Sequence, residues 1–228
     1  MLILSIDTSG RNGSIALART PESAAEEIEA IETIPLTGGT FSAQLVPQIA
    51  ALLASHGFTK FNIDAFSVAS GPGSFTGLRI GLAAVKGLAE ILRKPVAAVS
   101  LLELCVFVSG VQGKVMAALD AGRGDVYVGE YEVLSERIRS PREHMLGSAE
   151  FISQARGWTV VTPDPALAEA AAAAGLSVAK LAPLTAVEVA ALGWRKILSG
   201  DTLTPDQLEA NYIRRTDAEM LERIGPQT

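Results

Sequence analysis

Residues 70–81 read Ser70-Gly71-Pro72-Gly73-Ser74-Phe75-Thr76-Gly77-Leu78-Arg79-Ile80-Gly81. A glycine-rich turn between a strand and a helix directs backbone N–H groups toward one point at the helix N-terminus, where an anion is stabilised. The stretch lacks the Gly-Lys-Ser/Thr ending of a P-loop, and its glycines do not follow the order of the dinucleotide fingerprint. The plainer reading is that Gly71, Gly73 and Gly77 permit a tight turn and close packing, and spacing alone favours it over an anion site. Gly73, Gly77 and Gly81 recur every four residues, a spacing that lets two backbones approach closely.

The helix that follows is predicted to run from about Phe75 to Lys94, where Pro95 stops it. Leu78, Leu82, Val85, Ala89 and Leu92 form one apolar stripe along it, and Ile80, Ala84, Leu88 and Ile91 form a second. A helix apolar on two faces is either wholly buried or lays one face against another chain. Upstream, Asp64 to Ser70 reads as a strand. Ser42 reads as the N-cap of an earlier helix carrying Leu45, Ile49, Leu52 and Leu53, which Gly57 ends. Before that helix come three extended segments. Leu2 to Ile6 is a buried strand, Asn12-Gly13 signals a turn, and Ser14 to Ala18 returns as its hairpin partner. Ile28, Ala30, Glu32 and Ile34 alternate in a third segment, which Pro35 closes.

Downstream, Val96 to Ser100 is a strand with a short helix after it, and Gln112-Gly113 marks a boundary. Val115–Leu119 and Val126–Val133 then read as a second hairpin around a turn bracketed by Gly122 and Gly124. Helices are predicted near 148–156, 165–174 and 185–199, with a strand near 159–161. Alternating strands and helices imply an α/β class with mixed sheets, and the second hairpin suggests a duplicated lobe.

The chain has 228 residues, a formal charge of -6, 48% hydrophobic and 19% charged residues, and 5% aromatics. A mean hydropathy of +0.30 is apolar enough to suggest surface kept for a partner, although the run Ala171 to Ala174 raises the average by itself. The acidic balance and scarce aromatics argue against direct RNA binding by this chain. The single Cys105 excludes an internal disulfide and lies in an apolar stretch, as a buried, inert thiol does. No secretory signal is visible, and no apolar stretch reaches the ~18 residues of a membrane span. A cytoplasmic protein without membrane contact is the expectation.

The loop and helix, continuing through Lys86-Gly87-Leu88-Ala89 to Pro95-Val96-Ala97-Ala98-Val99-Ser100, closely resemble the TsaB (also called YeaZ) family. The motifs Ile6-Asp7-Thr8-Ser9, Leu119-Asp120-Ala121-Gly122-Arg123-Gly124-Asp125-Val126-Tyr127 and Asn211-Tyr212-Ile213-Arg214-Arg215 extend the resemblance over nearly the whole chain. Phe41-Ser42 departs from it, since the family often has His-Ser there. The resemblance implies an actin-like (ASKHA) fold of two lobes, each a mixed β-sheet flanked by helices. It places residues 1–110 in the N-terminal lobe and 111–228 in the C-terminal lobe, with the last helical segment packing back on the first.

The resemblance further implies a non-catalytic subunit for N6-threonylcarbamoylation of adenosine 37 in ANN-decoding tRNAs. Such a subunit pairs with a homologous catalytic TsaD, recruits the TsaE ATPase, and forms a homodimer when alone. The expected partner interface comprises Leu45, Ile49, Leu52 and Leu53 on one helix and Phe75, Leu78, Leu82 and Val85 on the next. The loop residues Gly71, Pro72, Gly73, Ser74, Thr76, Gly77 and Arg79 stand beside it.

TsaD-like proteins carry a His-x-x-x-His metal motif, and the matching places here are Leu101 and Cys105. Leucine has no donor atom, and one thiol cannot hold a metal alone, so no metal site is expected. His56 reads as a helix C-terminal residue and His144 as solvated in a loop. Asp7 and Asp120 occupy hairpin positions where actin-like ATPases organise Mg²⁺ and phosphate, and they read as relics of that arrangement. Asp7 reads more simply as the acceptor of its own turn. No cofactor is firmly implied, and the place left for ATP or ADP with Mg²⁺ is an interface between subunits. No catalytic residue is expected. The rival readings are an active actin-like ATP-dependent kinase or transferase built on Asp7 and Asp120, and a peptidase.

Overall fold

The computed structural model describes residues 1–21, 27–135 and 137–213. Arg214 and Arg215 of the C-terminal motif lie outside the described residues. Strands β1 (Leu2–Asp7), β2 (Asn12–Arg19), β3 (Glu29–Thr37), β4 (Ala65–Gly71) and β5 (Val96–Ser100) form a first sheet in the order β3-β2-β1-β4-β5. Strands β6 (Gly113–Gly122), β7 (Asp125–Leu134), β8 (Arg137–Gly147), β9 (Thr159–Thr162) and β10 (Ser177–Lys180) form a second sheet, in the order β10-β9-β6-β7-β8.

Read from the opposite edge, the second sheet repeats the first. Each opens with an antiparallel three-strand meander and adds two parallel strands beside its first strand. Both are mixed sheets flanked by helices, so the chain is of the α/β class with the actin-like architecture.

The helices are α1 (Phe41–Ser55), α2 (Phe75–Leu92), α3 (Leu101–Ser109), α4 (Ser148–Gln154), α5 (Pro165–Ala173) and α6 (Ala186–Ser199). Strand β1 is buried along its whole length because both sheet faces are covered. Leu4 and Ile6 meet α1 and α2 in the largest apolar cluster, while Ile3 on the other face meets Ala190 and Trp194 of α6. Helix α6 crosses back over β1, β2, β4 and β5 after the second sheet is complete. A capping box starts it: the N–H and hydroxyl of Thr185 both donate to Glu188. Its Gly193 is forced, since a Cβ there would run into the Ser67 side chain.

Several local expectations need correction. The first hairpin turns at residues 9–11, and Asn12 and Gly13 already belong to β2. Pro35 does not close β3, which continues to Thr37. It is an edge strand, where a missing N–H costs no ladder bond on the open side. Helix α1 begins at Phe41 after Thr40, so Ser42 lies inside its first turn and is not the cap.

Strand β8 had no sequence signal. It is a charged edge strand containing Pro141, paired on one side, and its register shifts between Glu130 and Glu132 of its partner. His144 is therefore in a strand and not in a solvated loop. Its side chain is half-buried, with Nε2 3.6 Å from Glu130 Oε1. Among the described residues no helix is long and apolar enough to cross a membrane.

Candidate functional site

The two hairpin turns face each other across a cleft of about 660 Å³. Residues 9–11 wall one side, residues 120–123 the opposite side, Pro72 to Phe75 the base of α2, and residues 211–213 a further edge.

Asp7 stands behind the first turn and is almost wholly buried. Its Oδ1 accepts from the Ser9 N–H at 2.9 Å and from the Ser9 hydroxyl at 2.6 Å. Burial pushes its carboxyl above the ordinary value of 3.8, and the hydrogen bonds from Ser9 pull part of the way back. It is thus the acceptor of its own turn. Asp120 is exposed on the cleft wall. Its Oδ1 accepts from the Gly122 N–H at 2.8 Å, and its own N–H donates to Asp164 Oδ2 at 2.7 Å.

The glycines of the loop serve contact with the first turn. A Cβ on Gly73 would strike the Ser9 carbonyl, one on Gly77 the Thr8 carbonyl, and one on Gly81 the Thr8 side chain. The Thr8 hydroxyl donates to the Gly77 carbonyl at 2.7 Å, and the Ser74 N–H donates to the Ser9 carbonyl at 2.6 Å. Ser74 also caps α2, its hydroxyl accepting from the Gly77 N–H at 3.3 Å. Gly71 has a φ of 121° and precedes a cis peptide bond to Pro72. A Cβ there would press on the Asn211 carbonyl. Thr76 is exposed beside a second hollow walled by Gly38 and Gly39. Arg79 stacks on the Phe75 ring at 3.6 Å and donates through Nε to the Tyr212 hydroxyl at 2.8 Å.

The residues expected to meet a partner are mostly turned inward. Leu45, Ile49, Leu52, Leu53, Leu78, Leu82 and Val85 all belong to the chain's own core, and Phe75 is held by Arg79 and Tyr212. They are the stripe that anchors α1 and α2 to the sheet. The second stripe is the outward one. Ile80, Ala84 and Leu88 remain half-buried, while Ile91 is 70% and Val46 of α1 61% exposed. Both stripes are visible in the sequence, but which one faces the sheet is set by the register of Gly77 and Gly81 on Thr8.

Three residues near the cleft carried no functional reading in the sequence. Asn211 and Tyr212 belong to a sequence motif that assigns them no role, and Glu143 sits on β8, which has no sequence signal. The Glu143 carboxylate accepts from the Tyr131 hydroxyl at 2.8 Å, from the Ser100 hydroxyl and from the Asn211 side-chain amide.

Among the described residues no group of three His, Cys, Asp or Glu side chains is placed to hold a metal. Leu101 and Cys105 are buried in α3. His56 ends α1, with Nε2 2.7 Å from Glu32 Oε2. His56 is thus paired with Glu32, while His144 only stands near Glu130.

A family model described as TsaD, tRNA N6-adenosine threonylcarbamoyltransferase, matches residues 35–193. The tRNA threonylcarbamoyladenosine biosynthesis protein TsaB of Bacillus subtilis is 37% identical over 133 residues, which are 58% of this chain and 56% of that protein. The alignment therefore spans little more than half of that relative's length. The TsaB of Escherichia coli is 30% identical over 177 residues, 69% of this chain and 72% of that protein. Two solved structures from Pseudomonas aeruginosa share the fold. One, an uncharacterized protein with similarity to peptidase YeaZ, has a TM-score of 0.70 at 27% identity and covers 93% of this chain and 99% of its own. The other, YeaZ, has a TM-score of 0.69 at 25% identity, with 92% and 99% coverage. Motifs, sheet topology and relatives agree, and the chain belongs to the TsaB (YeaZ) family, within the wider group that the TsaD model describes.

Proposed function

We propose that this chain takes part in threonylcarbamoyladenosine formation in tRNA as a non-catalytic subunit. In this reading it pairs with a TsaD-type catalytic subunit in the cytoplasm, and a TsaE-type ATPase joins the pair. Residues 1–110 and 111–228 are its two lobes, with α6 returning to the first. The names of the relatives support the pathway. The pairing role is supported chiefly by exposed Ile91, at the end of the half-buried α2 stripe Ile80-Ala84-Leu88, and by exposed Val46 on the packed neighbour α1. Apolar side chains left exposed on a packed helix pair suit a protein partner. Each leucine-sized side chain covered contributes about 1.5–3 kcal/mol. A second copy of the chain is the occupant when the catalytic subunit is absent.

The test is modification of an ANN-decoding tRNA supplied with threonylcarbamoyl-adenylate, with each subunit alone and together. The pair should modify the tRNA and this chain alone should not. Modification by this chain unaided would overturn the reading.

One observation favours a second reading, an ATP-dependent kinase or transferase: Asp120 opens on a cleft of nucleotide size. Against it, Asp7 is almost wholly buried and its Oδ1 accepts both Ser9 donors of its own turn. Calorimetry with Mg·ATP on the isolated chain decides between them, since turnover abolished by Asp120→Asn would favour the enzyme. The peptidase reading rests on a relative's name, and among the described residues neither histidine is hydrogen-bonded to a serine, threonine or cysteine.

A further inference from the structure

After α3 leads from the first sheet to the second and α6 leads back, the C-terminal segment links the two sheets a third time. Leu203 pairs with Val96 at the edge of the first sheet, and Leu208 is fully buried in the first core. The Asn211 N–H then donates to the Ser70 carbonyl at 2.7 Å, just before the glycine loop. The Tyr212 ring lies 5.1 Å from that of Phe75, and its hydroxyl accepts from Arg79 at 2.8 Å. One residue later, Ile213 packs on the core of the second sheet. Six residues thus run from one core to the other across the cleft edge.

Glu143 of β8 fastens this crossing. One carboxylate oxygen accepts from Ser100, at the end of the first sheet, and from Tyr131 of the second. The other accepts from Asn211. Hydrogen bonds to a carboxylate are short and strong, and they survive only over a few tenths of an ångström. All three donors meet one carboxylate at a single separation of the sheets. Two-lobed proteins commonly open and close about such clefts by hinge motion.

We propose that residues 208–213 are a strap that sets the opening of the cleft, and that Glu143 is the clasp that fastens it. The strap acts whatever partner α1 and α2 meet, so it stands apart from the proposed pairing role. Because Asn211, Tyr212 and Ile213 themselves wall the cleft, releasing them widens it.

The experiment is a spin-label distance measurement across the cleft in the full chain, with nitroxides on Arg11→Cys and Arg123→Cys in a Cys105→Ala background. Both labelled positions are exposed and lie on opposite walls. The parent should give one narrow distance distribution. Asn211→Asp sets a second carboxylate against Glu143, and it should broaden the distribution and lengthen its mean. Adding Glu143→Gln to Asn211→Asp restores a donor–acceptor pair and should restore the narrow distribution, which no general loss of packing would do. Tyr212→Ala, at a surface position, should broaden the distribution as well, and it decides the question if Asn211→Asp does not fold. A distribution as narrow as the parent's in every variant that folds, judged by circular dichroism, would overturn the strap.

Discussion

The hydroxyl of Thr8 donates to the carbonyl of Gly77 at 2.7 Å, while the Thr8 carbonyl occupies the space that a Cβ on Gly77 would need. Helix α2 is therefore seated directly on the first hairpin turn. Helix propensity alone would favour alanine over glycine at position 77 by about 1 kcal/mol. The collision is with backbone, which cannot rotate away, so Gly77→Ala should destabilise the chain by about 1–3 kcal/mol. Gly87 lies in the same helix with nothing within 4 Å of an added Cβ. There Gly87→Ala should stabilise by about 0.5–1 kcal/mol. Urea unfolding of the two variants checks the contrast.

The two stripes of α2 separate folding from pairing. Leu82 is 5% exposed in the core, and an aspartate there would place an unpaired charge among Leu45, Ile49 and Leu78. Leu82→Asp should cost about 4 kcal/mol or more and leave little folded protein. Ile91 is largely exposed, so Ile91→Asp should leave the melting temperature within a few degrees of the parent's. It should nevertheless weaken binding to a TsaD-type subunit at least tenfold. A pull-down with unchanged binding by the Ile91→Asp and Leu88→Asp variants would move the interface elsewhere.

Burial raises the Asp7 carboxyl above its unfolded value of 3.8. The native state then holds this proton more tightly than the unfolded chain does. Stability from this group is present in full below 3.8 and is lost as pH rises through the raised native value. Asp7→Asn keeps an oxygen for the two donors of Ser9 and cannot ionise. Its stability relative to the parent should therefore increase as pH rises from 3.8 to the raised native value and stay level above it. Chemical denaturation of both proteins across the acidic range measures the slope, and a relative stability falling with pH would contradict the assignment.

Cys105 is fully buried in α3, and burial raises its thiol, with the charge of Asp164 adding to the effect. The reactive thiolate is thereby suppressed. Alkylation of the native protein should be negligible over hours and stoichiometric in denaturant. Rapid labelling of the folded chain would show that α3 opens readily.

Much of the fold was legible because it follows from short-range rules. The apolar run of β1, the start of α2 near Phe75, the glycines at four-residue spacing and the stop at Pro95 each act within a few residues, and the alternation of elements implied two mixed sheets. Strand β8 escaped because an edge strand pairs on one side and tolerates charges and Pro141, so no period of two survives in it. With β8 hidden, the role of Glu143 was hidden too, since its three donors lie 43, 12 and 68 residues away.

What the sequence determined by itself was the family, through the resemblance of its motifs, and the class of fold and the two apolar stripes on α2, which local spacing carries. Only the tertiary structure decided which stripe is core and that the last residues touch both sheets. Burial and hydrogen-bond partnership are set by surfaces meeting across long stretches of chain, and periodicity within one element leaves them open.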